Sequence, residues 1–300
     1  MARRYENNEA ISKALIRSMV KDGSYSPKTV AHAQEHNQII ISKYLGGRSL
    51  YDFTPEDVKQ FVNNLSNSGL AISTQKSYFH ALKSLLRFIG NPSSETKVTF
   101  QADIRPCVDW LTPDEAQKVL DTELPPNQKL AIVLALCMGL RKVELIRLRL
   151  QDIDHSRQCI NVIGKGRAGG KLRLVPFHPR FMPALESYNH YRAEMILKAK
   201  GEIPDNLLVW YDRATRRVKP YNSVKASGMD CLIRRASVCC EVHFSAHTLR
   251  RTFGRLMWLS GVPVVVIARM LGHSSTEQTL QYIGANLDDM AGAMRLFSLK

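Results

Sequence analysis

The sequence lacks the features of an exported, disulfide-bonded or membrane-spanning protein. Its six cysteines show none of the regular spacings of a disulfide framework. No apolar segment follows Arg3 and Arg4 as a signal peptide would require, and the longest apolar run, residues 130–140, is too short to cross a bilayer. We therefore expect a cytoplasmic protein in a reducing compartment, with no membrane partner.

The sequence also lacks a matching nucleotide or metal motif. Residues 164–171 are rich in glycine and lysine, but Lys165 stands where a phosphate-binding loop needs its first glycine, and Leu172 stands where Ser or Thr would bind magnesium. Four possible zinc ligands lie close together: Cys239, Cys240, His243 and His247. They do not form the two separated pairs of ordinary zinc sites. We therefore expect no cofactor and no metal.

Positive charge is in excess along the whole chain. Lys and Arg number 42 against 27 Asp and Glu, a formal net charge of +15. Residues 1–100 carry 13 basic and 8 acidic side chains, which leaves 29 and 19 for residues 101–300. A polyanion is the natural partner of such a chain, because cations that neutralise phosphates release condensed counterions. Basic surfaces also serve solubility, so charge alone favours nucleic acid only modestly.

The first third of the chain has the periodicity of helices. Residues 8–20 repeat apolar positions at helical spacing, and Thr54 precedes Pro55 and two acids as a helix N-cap would. A further helix is predicted from near Ser73 to the stop signal at residues 90–92. Periodicity is then lost. The pattern predicts an all-α domain over residues 8–91 and a linker over residues 92–107.

The remainder, residues 108–300, is predicted to be mainly α-helical with a small antiparallel β-hairpin. Residues 111–115 (LTPDE) form a second cap with proline at the first helical position. Two β-rich runs flank a glycine-rich turn and predict the hairpin: residues 159–163 and 171–176. Helices are expected on either side of it, over residues 130–137, from Arg141 onward, and over residues 246–259, 263–271 and 275–283.

The first candidate site residues lie around the hairpin. Arg141 begins a predicted helix, where unpaired N–H groups and the helix dipole favour an anion, although taken alone it is better explained as one of many surface arginines. Glu144 is expected to support that helix end or to orient Arg141. Lys165 at the hairpin tip can reach a DNA groove and donate a proton; Lys171 is an alternative for this role, and a solvated turn is the structural alternative.

The other candidates lie near the end of the chain. His247 and Arg250, three residues apart on a helix capped by Ser245, share a face and can together hold a phosphate oxygen and handle a proton. His273 lies in a tight turn between two helices, where histidines are usually structural. Tyr282 would most often be a half-buried aromatic, and nucleophilic use requires cationic neighbours that favour the phenolate.

In combination these motifs resemble the tyrosine recombinases, the integrase and Xer family. The resemblance is carried, in chain order, by residues 139–145 (GLRKVEL), Gly164-Lys165-Gly166, residues 247–250 (HTLR), residues 271–273 (LGH) and Tyr282. It covers nearly the whole chain, because residues 8–91 are similar to the family's helical, SAM-like core-binding domain. It implies an α-rich, two-domain clamp around DNA, most like a compact Xer-type recombinase, with residues 108–300 as the catalytic domain. The turn between Gly166 and Lys171 is longer than the pattern, which leaves open which lysine reaches the DNA.

The resemblance also implies a mechanism that needs neither ATP nor metal. Tyr282 would attack a scissile phosphate to give a 3′-phosphotyrosine and a free 5′-hydroxyl, and a 5′-hydroxyl of another duplex would reverse the step. Arg141 and Arg250 would neutralise the phosphate oxygens. Lys165 would protonate the leaving oxygen, His247 would assist removal of the phenol proton, and His273 would hydrogen-bond the phosphate.

The expected partner is double-stranded DNA with paired recognition half-sites, bound in the nucleoid by a homotetramer with two protomers per site. A partner recombinase or accessory protein is possible, and the tail after Asp288 would dock on a neighbouring protomer or on its own domain. The role would be chromosome-dimer resolution or the integration and excision of a mobile element. A type IB topoisomerase is the second interpretation, and a non-enzymatic DNA-binding protein is the third.

Overall fold

The structure is a computed structural model that describes residues 4–100, 109–164, 171–221 and 228–284. Its contacts divide the chain into two compact units, Met1–Arg105 and Pro106–Lys300. The described part of the first is wholly helical, and that of the second is mainly helical with two small antiparallel sheets. The predicted fold class is therefore confirmed.

The first unit packs four helices around one apolar core. They are α1 (Asn8–Asp22), α2 (Pro27–Lys43), α3 (Pro55–Ser66) and α4 (Ile72–Phe88). The predicted cap before α3 is present as a capping box: the Thr54 hydroxyl accepts from the Asp57 backbone N–H, and the Asp57 carboxylate accepts from the Thr54 N–H. Apolar residues of all four helices are buried together, among them Ile11, Ile40, Phe61 and Leu82.

The start of the predicted linker packs as part of this first unit. Pro92–Glu95 form a single 3-10 turn, and the side chain of Asn91 donates to the carbonyl oxygens of Leu50 and Phe53 at 2.9 and 3.0 Å. Ser93 is buried and also donates to Phe53. These polar side chains satisfy backbone groups of the first unit, which is why residues without apolar periodicity are nevertheless ordered against it.

The second unit contains eight α-helices and five short strands among its described residues. Its helices are α5 (Pro113–Asp121), α6 (Pro126–Ile132), α7 (Lys142–Arg147), α8 (Phe181–Leu197), α9 (Met229–Cys240), α10 (Ala246–Leu259), α11 (Val264–Leu271) and α12 (Thr276–Ile283). Its strands are β1 (Ile153–Asp154), β2 (Cys159–Ile163), β3 (Leu172–Pro176), β4 (Val209–Asp212) and β5 (Arg217–Pro220).

The predicted hairpin is confirmed as β2 and β3, which pair antiparallel with Ile160 opposite Val175; β1 adds a short third strand. A second hairpin, β4 with β5, was not predicted. Its strands have only four residues each. The Asp212 carboxylate accepts from the turn N–H groups of Ala214 and Thr215 and, at 2.6 Å, from Lys219 Nζ on β5. Strands this short carry little periodicity.

The C-terminal end of α6 brings two distant chain segments together. Residues Val133–Cys137 continue α6 as a π-helical turn, and Gly139 follows with a positive φ of 67°. A Cβ on Gly139 would lie 2.5 Å from the Phe253 ring of α10, so both the backbone conformation and the close approach require glycine. The carbonyl of Gly139 is thereby placed beside α10.

No helix among the described residues is long and apolar enough to cross a membrane.

Candidate active site

A cavity of about 500 Å³ lies between helices of the second unit. Five of the six predicted site residues line it: Arg141, His247, Arg250, His273 and Tyr282. They come from the N-terminal end of α7, from α10, from the turn between α11 and α12, and from α12. Residues up to 141 positions apart in sequence therefore meet in one place. The sixth, Lys165, lies outside the described residues.

Arg250 is buried in this cavity, with a side chain that is 2% exposed. Its guanidinium donates to the backbone carbonyls of Gly139 and Leu271. The sequence indicated that Arg250 shares a face with His247, away from the apolar side of α10. The structure differs in that Arg250 is buried. Leu249 packs into the main core while Phe253 packs against α11, so α10 is covered on both sides. Burial, and then the nearby charge of Arg141, lower the pKa of Arg250 to about 10, which leaves it charged at pH 7.

Arg141 is held by its own helix. Its backbone N–H donates to Glu144 Oε2 at 2.7 Å and its Nη1 to Glu144 Oε1 at 2.9 Å, so Glu144 both caps α7 and orients Arg141. Nη2 donates to the Gly272 carbonyl at 3.1 Å. Through Nη2, Arg141 is thus hydrogen-bonded to the turn that contains His273.

Arg173 on β3 is part of the site, and the sequence reasoning missed it. Its Nη1 and Nη2 donate to the two oxygens of Glu144 at 2.8 Å each, and its Nε donates to the Met270 carbonyl at 2.8 Å. Strand alternation could have indicated this position, because Arg173 is two residues from the buried Val175 and faces the same side of the sheet. A charged residue on the buried face of a strand requires a partner inside the protein.

Three guanidiniums, two of which line the cavity, surround the buried carboxylate of Glu144. The shortest distances from a guanidinium nitrogen to a Glu144 oxygen are 2.8 Å for Arg173, 2.9 Å for Arg141 and 3.7 Å for Arg250. Burial of Glu144 would raise its pKa, but the hydrogen bonds and charge of Arg173, with the Arg141 N–H and the Arg250 charge, outweigh it and lower the pKa. The group carries a net charge of about +2, which suits it to an anion.

Tyr282 lines the cavity between two histidines. Its Oη is 3.5 Å from His247 Nδ1, and its ring meets the rings of His247 and His273 edge-on, with centroids 5.2 and 4.9 Å apart. Burial raises the pKa of Tyr282, and the charges of Arg250, Arg251 and Arg141 reduce the rise without cancelling it. Partial burial, followed by the charges of the same arginines, lowers the pKa of His247, so its imidazole is neutral at pH 7.

A second residue that the sequence reasoning missed is Arg251, whose guanidinium carbon lies 5.6 Å from the centroid of the Tyr282 ring. It is next to Arg250 in sequence, and nothing in the sequence pattern separates it from a surface arginine. At this distance the cation interacts favourably with the face of the ring.

His273 is anchored on both ring nitrogens. Nδ1 lies 3.0 Å from the hydroxyl of Thr279, and Nε2 lies 3.4 Å from Nη2 of Arg250. Burial, and then Arg250, Arg141 and Arg173, lower its pKa to about 4, so the ring is neutral at pH 7.

The alternative hairpin lysine, Lys171, is exposed. It pairs with Gly164 at the end of the described part of the hairpin. Its carbonyl accepts from the Gly164 N–H at 3.0 Å. It lies two residues before Arg173, and strand alternation places its side chain on the same face of β3 as Arg173.

Within the described ranges, no group of three or more His, Cys, Asp or Glu side chains is arranged to hold a metal ion.

The sequence of the second unit matches a known protein family. Residues 109–288 match the family described as the phage integrase family. The chain is 27% identical over 232 residues to tyrosine recombinase XerA of Pyrococcus horikoshii, an alignment that covers 77% of this chain and 76% of that protein. It is 26% identical to tyrosine recombinase XerC of Roseiflexus castenholzii over 301 residues, covering 93% and 90%.

Solved structures share the fold. The Tn1549 transposon integrase in complex with transposon right end DNA has a TM-score of 0.70 at 19% identity, covering 95% of this chain and 98% of that one. A lambda integrase dimer bound to a COC′ core site has a TM-score of 0.66 at 19% identity, covering 92% and 94%.

Proposed function

The chain belongs to the phage integrase family: it is a tyrosine recombinase, an enzyme that breaks and rejoins DNA strands in site-specific recombination, and we propose that Tyr282 is its nucleophile. The observation that carries this proposal is the cavity that Tyr282 shares with a neutral imidazole and a net positive cluster. The second interpretation, a type IB topoisomerase, is not favoured, because the curated relatives reported above are named tyrosine recombinases.

In the proposed reaction, a bond forms between Tyr282 Oη and the scissile phosphorus while the bond to the 5′-oxygen breaks, leaving a 3′-phosphotyrosine. The phenol proton passes to His247, whose Nδ1 is 3.5 Å from Oη and whose lowered pKa keeps it free to accept. The phenol itself stays protonated without DNA, because its pKa is raised. A general base is therefore required.

Arg141 and Arg250 are proposed to bind the non-bridging phosphate oxygens. Both are fixed by protein carbonyls and by Glu144, so they are oriented before DNA arrives and need little rearrangement as charge develops. His273 is proposed to contact the same phosphate, since it shares the cavity with both arginines.

A lysine of the β2–β3 hairpin, Lys165 or Lys171, is proposed to protonate the leaving 5′-oxygen. Alanine variants of the two lysines are compared on two substrates: an ordinary one, and one in which sulfur replaces the bridging 5′-oxygen. The comparison identifies the lysine that donates the proton, because a thiolate leaves without one. The lysine that acts is the one whose loss slows the oxygen substrate much more than the sulfur substrate. Equal losses on both substrates for both variants would contradict this role.

The DNA partner is proposed to carry paired half-sites, each bound by one protomer, with two such sites joined in a homotetramer in the nucleoid. Residues 8–91 are proposed as the core-binding domain and residues 108–300 as the catalytic domain. The tail after Asp288, which lies outside the described residues, is proposed to dock on a neighbouring protomer. A partner recombinase or accessory protein would act on this assembly.

The test begins by mapping the DNA that Tyr282→Phe protein retains in the source genome. Wild-type protein is then mixed with a nicked duplex of that site, so that the cleaved fragment diffuses away. We expect a protein–DNA adduct that resists denaturant with wild type and none with Tyr282→Phe. An adduct formed by Tyr282→Phe would overturn the assignment of the nucleophile. Strand exchange between two duplexes, measured in the same reactions, distinguishes recombination from relaxation alone.

A further inference from the structure

The buried hydroxyl of Thr279 lies within hydrogen-bond distance of one ring nitrogen of His273. Thr279 is fully buried on α12, and its Oγ1 lies 3.2 Å from the Ser275 carbonyl oxygen and 3.0 Å from His273 Nδ1. A hydroxyl has one proton, and a carbonyl oxygen can only accept. With that proton given to Ser275, Oγ1 presents a lone pair to the imidazole. Nδ1 must therefore carry a proton to complete the contact.

The other side of the ring leads to the same assignment. His273 Nε2 faces Arg250 Nη2 at 3.4 Å, and a guanidinium has donors only. The same Nη2 also donates to the Leu271 carbonyl, so its two protons have one acceptor each. A proton on Nε2 would oppose this cation. Two independent contacts thus agree on a neutral ring with a proton on Nδ1 and a lone pair on Nε2.

This arrangement is the wrong one for binding a phosphate. Phosphate oxygens only accept, so a lone pair on Nε2 repels them. We infer that Thr279 is a positioning residue that holds His273 as the Nδ1–H tautomer, so that His273 binds the scissile phosphate only after Nε2 takes up one proton from solvent. The inference rests on the proposed function of the cavity as the phosphate site.

The charges around His273 explain why the proton arrives with the DNA. The charged and titratable groups that face it come from α7, β3, α10 and α12: Arg141, Glu144, Arg173, Arg250 and Tyr282. Burial and the three arginines favour the neutral ring, and Glu144 opposes them only partly. A phosphodiester adds a negative charge inside this group, which favours the imidazolium. Binding of the phosphate and protonation of Nε2 therefore promote each other.

The tautomer is measured without DNA, by the nitrogen chemical shifts of the His273 ring in ¹⁵N-histidine-labelled protein at pH 7. We expect a protonated Nδ1 and an unprotonated Nε2 in wild type and in Thr279→Ser, which keeps the hydroxyl. Thr279→Val has nearly the same shape but no acceptor, so only the longer 3.4 Å contact of Nε2 with Arg250 still favours the Nδ1–H tautomer; we expect a second population protonated on Nε2. A protonated Nε2 in wild type, or an unchanged single tautomer in Thr279→Val, would overturn the inference.

Proton uptake is measured by calorimetric titration of Tyr282→Phe protein with the mapped duplex, in buffers of different ionisation enthalpy. We expect about one proton more per protomer with His273 present than in the double variant with His273→Gln, whose amide donates without titrating. Adding Thr279→Val instead should reduce the uptake, while Thr279→Ser should preserve it. Equal uptake with and without His273 would contradict the coupling.

The kinetic consequence is a change in pH dependence rather than in rate alone. The ratio of cleavage rates, Thr279→Val over wild type, should rise with pH, by at most about tenfold per pH unit. A purely structural role for Thr279 would lower the rate equally at every pH. If no adduct forms with wild type while the Nδ1–H tautomer is observed, the proposed nucleophile fails and the tautomer assignment stands. If adducts form while Nε2 is protonated, only this inference fails.

Discussion

Replacing Glu144 with glutamine perturbs the one carboxylate on which the arginine cluster depends. In the wild type its two oxygens accept four hydrogen bonds, two from Arg141 and two from Arg173. Glutamine keeps one oxygen and places an amide NH₂ where the other was. The NH₂ then faces two N–H donors, so at least two charge-assisted hydrogen bonds are lost.

The free energy of unfolding lost in Glu144→Gln can be estimated from the burial of the site. Glu144 is 4% exposed, so water does not replace the missing partner. Removing one partner of a buried ion pair costs about 3–5 kcal/mol. For a unit of this size each kcal/mol lowers Tm by roughly 2–4 °C, which predicts a decrease of roughly 6–20 °C. Loss of orientation at Arg141 should also slow adduct formation, by about a hundredfold.

The stability difference should depend on pH with a definite sign. Because the pKa of Glu144 in the folded protein lies below its ordinary value of 4.5, its ionisation stabilises the fold fully above that value. This contribution is lost as pH falls through the lowered pKa. Glutamine has no such ionisation, so the gap in Tm between the two proteins should be constant near neutral pH and should narrow below pH 4.5.

The assay is thermal unfolding by calorimetry at pH 7 and at several values down to pH 3.5. Glu186→Gln on α8 is the matched control, because Glu186 is exposed and its substitution should change stability by at most about 0.5 kcal/mol. The reasoning is refuted if Glu144→Gln lowers Tm no more than this control does. It is also refuted if the gap in Tm is the same at acid and neutral pH.

Two further substitutions test the packing around the cavity. In Gly254→Ala the new Cβ would lie 2.9 Å from Ile283 Cγ2, so α12 and Tyr282 must shift; adduct formation should fall by about tenfold or more, and an unchanged rate would contradict the packing. In Arg250→Lys the ammonium lacks the planar fork that binds both helix-end carbonyls, and cleavage should fall by about a hundredfold or more. Arg269→Lys on the exposed side of α11 is its control, and comparable rates for the two variants would contradict the role of Arg250.

Local features of the fold could be predicted because they depend on residues close in sequence. Both predicted caps, at Thr54 and Thr112, form reciprocal hydrogen bonds with an acid three residues later. The β2–β3 hairpin follows from two β-rich runs around glycines. In each case the interacting residues are few and near, so the pattern alone contains the interaction.

The parts that escaped prediction depend on contacts between distant segments. Arg173 and Thr279 have ordinary neighbours in sequence, and their roles arise only because β3 and α12 pack beside the turn that follows α11. The burial of Arg250 likewise depends on two backbone carbonyls, one 111 and one 21 residues away. Backbone groups carry no sequence signature, so no motif could have indicated these partners.

The electrostatics of the cavity bear on how Tyr282 would be activated in the proposed reaction. The charges of Arg250, Arg251 and Arg141 lower the pKa of Tyr282, yet burial outweighs them in the DNA-free protein. A bound phosphodiester would neutralise part of this positive field and would disfavour a second negative charge nearby. The arginines therefore cannot bind the phosphate and stabilise a free phenolate to the full extent at the same time. If Tyr282 is the nucleophile, as proposed, its attack would coincide with transfer of the phenol proton, and we propose His247, whose Nδ1 lies 3.5 Å from Tyr282 Oη and whose pKa is lowered, as the group that receives it.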